Sequence, residues 1–149
     1  MKLVIQRVSE AEVTIDRSSV GKIGTGLLVL LGIHQSDLPE TTKRYVDKLV
    51  NLRIFEDEEG KMNQSVKDVN GEVLVVSQFT LYGNSSKGRR PSFIEAARPE
   101  TAIPIYEKFI QEVKEGLGSV QTGEFGASMD VSLVNQGPVT IILENLSNT

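Results

Sequence analysis

The chain has no cysteine and a single histidine, His34. Without cysteine there are no disulfides, no thiolate metal sites and no cysteine nucleophile, and a reducing, cytoplasmic setting fits. One imidazole is too few for a zinc site, which usually takes several His or Cys ligands. No metal and no cofactor is therefore expected. A G-x-S-x-G elbow is also missing. His34 follows an apolar run at its exit and reads as a strand-end loop residue rather than a general base. Long apolar stretches are lacking too. The longest run, 27–31, is far too short to cross a bilayer. The first residues carry Lys2 and Arg7 and lack the core of a signal peptide, so no membrane partner is expected. Positive charge is in deficit, with a net charge of −4 and a pI near 5.1. That excludes a protein that coats nucleic acid non-specifically and argues against a DNA partner. It leaves room for one that grips an RNA end through a local patch. Gly21, Gly24 and Gly26 stand in the wrong order for a dinucleotide fingerprint, and no P-loop lysine follows them.

What is present suits one domain over 1–149, long enough to bury a core unaided. Residues 3–8 and 12–15 mix apolar and polar residues in near alternation, as half-buried strands do. A turn at 17–19 leads to a strand at 20–23. The run 27–33, after Gly24-Thr25-Gly26, reads as a buried central strand. Asp37 and Glu40 have capping-box spacing, which predicts a helix with Asp37 as N-cap and an apolar stripe of Tyr45, Val46, Leu49, Val50 and Leu52. A valine-rich strand is expected over 72–79. A second helix is predicted over 101–115, with Pro104 in its first turn and Gly116 as its stop. Strands at 120–124, 129–134 and 139–143 close the chain. The expected fold is α+β: a curled, β-barrel-like sheet with two helices packed against it.

Two segments carry polar groups in unusual places. Ser77-Gln78-Phe79-Thr80-Leu81-Tyr82-Gly83 ends the buried 73–76 strand with two hydroxyls and an amide. Such groups at the end of a core strand must be paired, and they either cap the strand or line a pocket. The residues alone support both readings equally. Asn135-Gln136-Gly137-Pro138-Val139-Thr140 lies between two predicted strands, where Gly-Pro is ordinarily a turn. Lys87-Gly88-Arg89-Arg90 is a local basic patch, and 56–59 is an acidic block before Gly60. Each is more often a solvated loop than a site.

With these two segments the sequence resembles the D-aminoacyl-tRNA deacylases, also called D-tyrosyl-tRNA deacylases. Agreement extends to 1–8, to Lys87-Gly88-Arg89-Arg90-Pro91-Ser92-Phe93 and to Phe125-Gly126-Ala127-Ser128-Met129, so it covers essentially the whole chain. The resemblance implies a homodimer with a site at the subunit interface. Ser77, Gln78, Phe79 and Thr80 would be catalytic. Gly137 and Pro138, joined by a cis peptide, would reach into the partner's pocket as a chiral gate, with Asn135, Met129 and Phe125 alongside. The substrate would be tRNA charged with a D-amino acid or glycine. From charge alone, Lys87, Arg89 and Arg90 are expected to meet tRNA phosphates. Two other classes stay open on the residues themselves: a non-catalytic binding module, and a different esterase or amidohydrolase.

Overall fold

The computed structural model describes residues 1–146. The chain folds as a single α+β domain built on a six-stranded sheet. β1 (Lys2–Ile15) is the organising strand. β2 (Ser18–Ile23) and β3 (Gly26–Gly32) pair with it antiparallel on one side, β2 along its second half and β3 along its first. β8 (Asp130–Glu144) runs antiparallel along its other side over nearly its whole length. β6 (Glu72–Ser77) joins β3 in parallel, and the short β7 (Gln121–Thr122) joins β6 in parallel. β4 (Phe55–Glu56) and β5 (Met62–Gln64) form a separate hairpin around the acidic block 56–59, where composition predicts only a loop.

The predicted strands 3–8 and 12–15 are one strand. The ladder between β1 and β8 slips between Gln6 and Val8 and again between Val8 and Glu10. Such irregularities bend a strand and increase its twist. They also change which face its side chains serve. Leu3 and Ile5 belong to the larger core, while Val8, Ala11 and Val13 belong to a second one. The sheet curls until its ends approach, and a β-carbon on Gly21 of β2 would lie 2.5 Å from the Thr122 carbonyl of β7. The barrel-like expectation is met by a nearly closed sheet.

α1 (Thr42–Asn51) and α2 (Pro99–Leu117) cover one face. Tyr45, Val46, Leu49 and Val50 of α1 meet Ala102, Ile105, Tyr106, Phe109 and Val113 of α2 and the inward residues of β3 and β6. Burying each large apolar side chain in this layer is worth roughly 1.5–3 kcal/mol.

Three expected details change. Asp37 does not cap α1: a 3-10 turn at Pro39–Thr41 intervenes, and the Asp37 carboxylate instead accepts the His34 amide and pairs with the Met1 ammonium. α2 starts at Pro99, so Pro104 lies beyond its first turn. Its stop is Gly118, at φ 85°, whose amide bonds the Lys114 carbonyl at 2.7 Å.

Candidate active site

β6 ends where β3 stops offering partners. The last ladder pair is Leu31 with Ser77, and the Gln78 amide still reaches the Leu31 carbonyl at 2.8 Å. The chain then tightens into a 3-10 turn, Phe79–Tyr82. Gly32 permits this, since a β-carbon there would meet Leu81 at 3.1 Å and Tyr82 at 3.3 Å. The turn's first internal bond runs from the Leu81 amide to the Gln78 carbonyl. The Phe79 and Thr80 amides precede that bond and are not used by the turn itself. The Gln78 side chain donates to the Thr80 hydroxyl. Phe79 and Thr80 are exposed, and Ser77 and Gln78 are half-buried. The predicted catalytic residues therefore do stand together, on one turn at one strand end.

The turn is braced from behind. Lys2 lies over the Tyr82 ring, 5.2 Å from its centre, and its ammonium points to the Leu81 carbonyl and to Glu144. His34 meets Tyr82 edge to face, and its Nδ1 pairs with the Ser36 hydroxyl at 2.8 Å. Burial, helped by the charge of Asp37, pushes the Tyr82 phenol well above its usual pKa, so this group stays protonated and is no base at neutral pH. The segment after β7 lines the same end of β6. The Gly123 amide bonds the Val75 carbonyl, Phe125 packs its ring 5.5 Å from that of Tyr106, and the Met129 sulfur accepts the Glu124 amide.

Asn135, Gly137 and Pro138 lie elsewhere. They are not a turn between two strands but an outcrop of β8. Where β1 advances from Gln6 to Val8, β8 passes from Thr140 to Asn135. Gln136, Gly137 and Pro138 stand out of the ladder and are exposed, while Val139 returns to the core. The Gly137–Pro138 peptide is cis. Asn135 does not face outward. Its side chain accepts the Val139 amide at 2.7 Å and donates to the Val139 carbonyl and the Thr140 hydroxyl, closing the base of the loop.

Arg7 fixes the loop from the other side, a role the sequence reading did not assign. It is 6% exposed, and it donates from Nε to the Gln136 carbonyl at 2.9 Å and from Nη1 to the Ile54 carbonyl at 2.8 Å. No carboxylate pairs with it among the described residues. The signal was present in the sequence: a cation at 7 continues the inward series of Leu3 and Ile5.

Within one chain the two segments do not meet. Lys2 marks the turn's end of β1 and Arg7 marks the loop's end. Five residues at about 3.3 Å each put the two sites roughly 17 Å apart along the strand. Phe125 and Met129, which the resemblance sets beside the gate, lie on the segment between β7 and β8, Phe125 against Tyr106 and Met129 against the second core. Lys87, Arg89 and Arg90 lie on an exposed loop closed by paired backbone bonds between Asn84 and Ser92. No metal-binding cluster of His, Cys, Asp and Glu occurs among the described residues, and no described helix is long and apolar enough to cross a membrane.

Fold and site define an α+β domain with a nearly closed sheet, a polar strand end leading into an exposed turn, and a braced loop projecting elsewhere on the sheet. The family model described as D-Tyr-tRNA(Tyr) deacylase matches residues 4–144. A protein of Protochlamydia amoebophila named D-aminoacyl-tRNA deacylase is 60% identical over 146 residues, covering 98% of this chain and 97% of that protein. One of the same name from Flavobacterium psychrophilum is 57% identical, covering 97% of each. Among solved structures, one titled c-Myc DNA Unwinding Element Binding Protein is 42% identical with a TM-score of 0.92, covering 99% of this chain and all of that one. A probable eukaryotic D-amino acid tRNA deacylase, 18% identical with a TM-score of 0.83 over 95% of this chain and 97% of its own, shares the fold. The chain belongs to the D-Tyr-tRNA(Tyr) deacylase family.

Proposed function

We propose that this protein is a cytoplasmic, homodimeric D-aminoacyl-tRNA deacylase. It hydrolyses the ester between a D-amino acid, or glycine, and the terminal ribose of tRNA. Water attacks the carbonyl carbon, the bond to the ribose oxygen breaks, and that oxygen takes up the proton. The observation that carries this reading is the strand end where half-buried Ser77 and Gln78 lead into the exposed turn that bears Thr80. The turn offers hydrogen bonds and shape but no acid–base pair. His34 is engaged by Ser36, and the Tyr82 phenol is held protonated. That suits positioning of an already activated ester, with the neighbouring 2′-hydroxyl of the substrate assisting the water. The Phe79 and Thr80 amides then face the developing oxyanion.

The roughly 17 Å between turn and loop, from strand rise alone, supports a cross-subunit arrangement. A loop that cannot reach its own turn can serve the turn of a second copy. Half-buried Leu30, Met129, Val131 and Leu133 border the second core and supply apolar surface for such a contact. In the dimer, the Gly137-Pro138 backbone occupies the side of the α-carbon where an L side chain would go. Rejection by clash needs no recognition of the D side chain, so D-amino acids are accepted broadly and glycine is tolerated.

The deciding measurement is release from D-tyrosyl-tRNA and L-tyrosyl-tRNA in parallel. Cleavage of the D ester alone is expected. Cleavage of neither would favour a binding module, and equal cleavage would remove the gate. In the same assay Thr80→Ala is expected to lose no more than about tenfold in rate, the worth of one or two hydrogen bonds. Near-complete loss would instead make Thr80 the nucleophile.

A further inference from the structure

Beside Thr80 the surface carries an apolar step that ester hydrolysis leaves without a task. Phe79 is 55% exposed and Phe93 38% exposed, and their rings meet edge to face with centres 5.3 Å apart. Ile94, the next residue, is 80% exposed. The arrangement is held in place. A β-carbon on Gly83 would lie 3.0 Å from the Phe93 ring, so the bare glycine lets the ring lie against the turn. The paired bonds between Asn84 and Ser92, at 2.8 and 2.9 Å, then fix the loop that ends at Phe93. That loop raises Lys87, Arg89 and Arg90 beside the step. All three are exposed, and none has an ion-pair partner among the described residues. In a chain of net charge −4, three uncompensated cations next to two partly exposed aromatic rings form a local complement to a single strand of nucleic acid. Stacking on aromatic rings serves any base, while cations follow the backbone phosphates. A duplex cannot use the rings, because its bases are already stacked.

We propose that Phe79, Phe93 and Ile94 seat the unpaired nucleotides that precede the esterified terminal one, with their phosphates directed to Lys87, Arg89 and Arg90. The inference rests on the deacylase reading, since the turn that bears Phe79 also bears Thr80. It adds a second contact region that binds the RNA end independently of the amino acid and its hand.

The test uses Phe93→Leu, which keeps an apolar side chain and removes the aromatic face, together with a triple Lys87/Arg89/Arg90→Ala variant. The first probe is an uncharged single-stranded RNA with the 3′ sequence of tRNA, followed by fluorescence anisotropy. Phe93→Leu is expected to weaken its binding roughly 5- to 30-fold. The triple variant is expected to reduce the slope of log affinity against log salt by about 2. A blunt duplex of equal length should show no effect of Phe93→Leu. The second probe compares D-aminoacyl-tRNA with the D-aminoacyl ester of adenosine alone. The loss in kcat/KM is expected to be at least about fivefold larger on the tRNA, because only the tRNA reaches the step. Equal losses on both esters would place Phe93 in the hydrolytic pocket and overturn the proposal, as would unchanged binding of the single strand. Dissociation of an oligomer on Phe93→Leu, seen by sedimentation, would assign the step to a second copy of the chain and overturn it as well. If the wild-type protein binds the uncharged strand yet cleaves neither ester, the deacylase reading fails while the docking surface stands.

Discussion

Replacing Gly137 by alanine is expected to lower kcat/KM for D-aminoacyl-tRNA by about 100-fold, the scale at which a misplacement near 1 Å disrupts a positioned reaction. It is also expected to raise cleavage of the L ester to a detectable level. The backbone and the surroundings both forbid the added carbon. Gly137 sits at φ 135°, a conformation L side chains rarely adopt, and holding one there costs about 1–3 kcal/mol. The carbon would also lie 2.9 Å from Arg7 Nη2 and from a Val139 methyl, and 3.2 Å from the Val139 amide nitrogen. Arg7 is tethered at two carbonyls and Val139 is buried, so neither yields cheaply. The loop must therefore move, and with it the wall proposed above to reject the L hand. A fall in Tm on the order of 5 °C should accompany the kinetic change. Wild-type rates on both enantiomers, in a variant with that thermal shift, would show that the loop's position does not set the chirality of the reaction.

The two helices and the central strand were legible because their apolar patterns are uninterrupted, and the curled sheet because strands predominate with only two helices among them. Tyr45, Val46, Leu49 and Val50 could serve little else than a helix face, and 27–31 could serve little else than a buried strand. The helix ends were misplaced for local reasons. Asp37 has the right spacing for a cap, but the Met1 ammonium, distant in sequence, claims its carboxylate. Gly116 is a plausible stop, yet Gly118 takes the positive φ and the bond to Lys114. In both cases a tertiary or next-turn partner overrode a local preference.

The site divides in the same way. Polar residues at 77–80 interrupt an apolar strand, and the physics of burial marks them as either strand caps or a pocket edge. The loop at 136–138 carries no such mark. On spacing it is a turn, because nothing local reveals that β8 continues through it against β1. Only the register of a partner strand far away in sequence shows that it is an outcrop. Asn135 illustrates the difference. The resemblance sets it beside the gate, and the fold turns its amide inward to close the loop.

Arg7 carries the other large expected effect. Arg7→Leu should destabilise the fold by about 2–4 kcal/mol, since it leaves the Ile54 and Gln136 carbonyls without their donor, at roughly 1–3 kcal/mol for each buried acceptor. The sharper comparison is Arg7→Lys, which keeps the charge. If charge were what the site needed, lysine would rescue. The geometry argues otherwise: two carbonyls are met by two nitrogens of one rigid fork, from Nε and from Nη1. A lysine ammonium is a single point that serves one of them, and it remains a strongly hydrated charge in a site only 6% exposed. No carboxylate among the described residues compensates it. Arg7→Lys is therefore expected to be no more stable than Arg7→Leu in chemical denaturation. Both variants should lose D-over-L selectivity by at least about tenfold, because in both the Gln136 carbonyl next to Gly137 loses its Nε donor. A lysine variant with wild-type stability and wild-type selectivity would mean that positive charge alone holds the loop, and that the fork geometry of Arg7 is incidental.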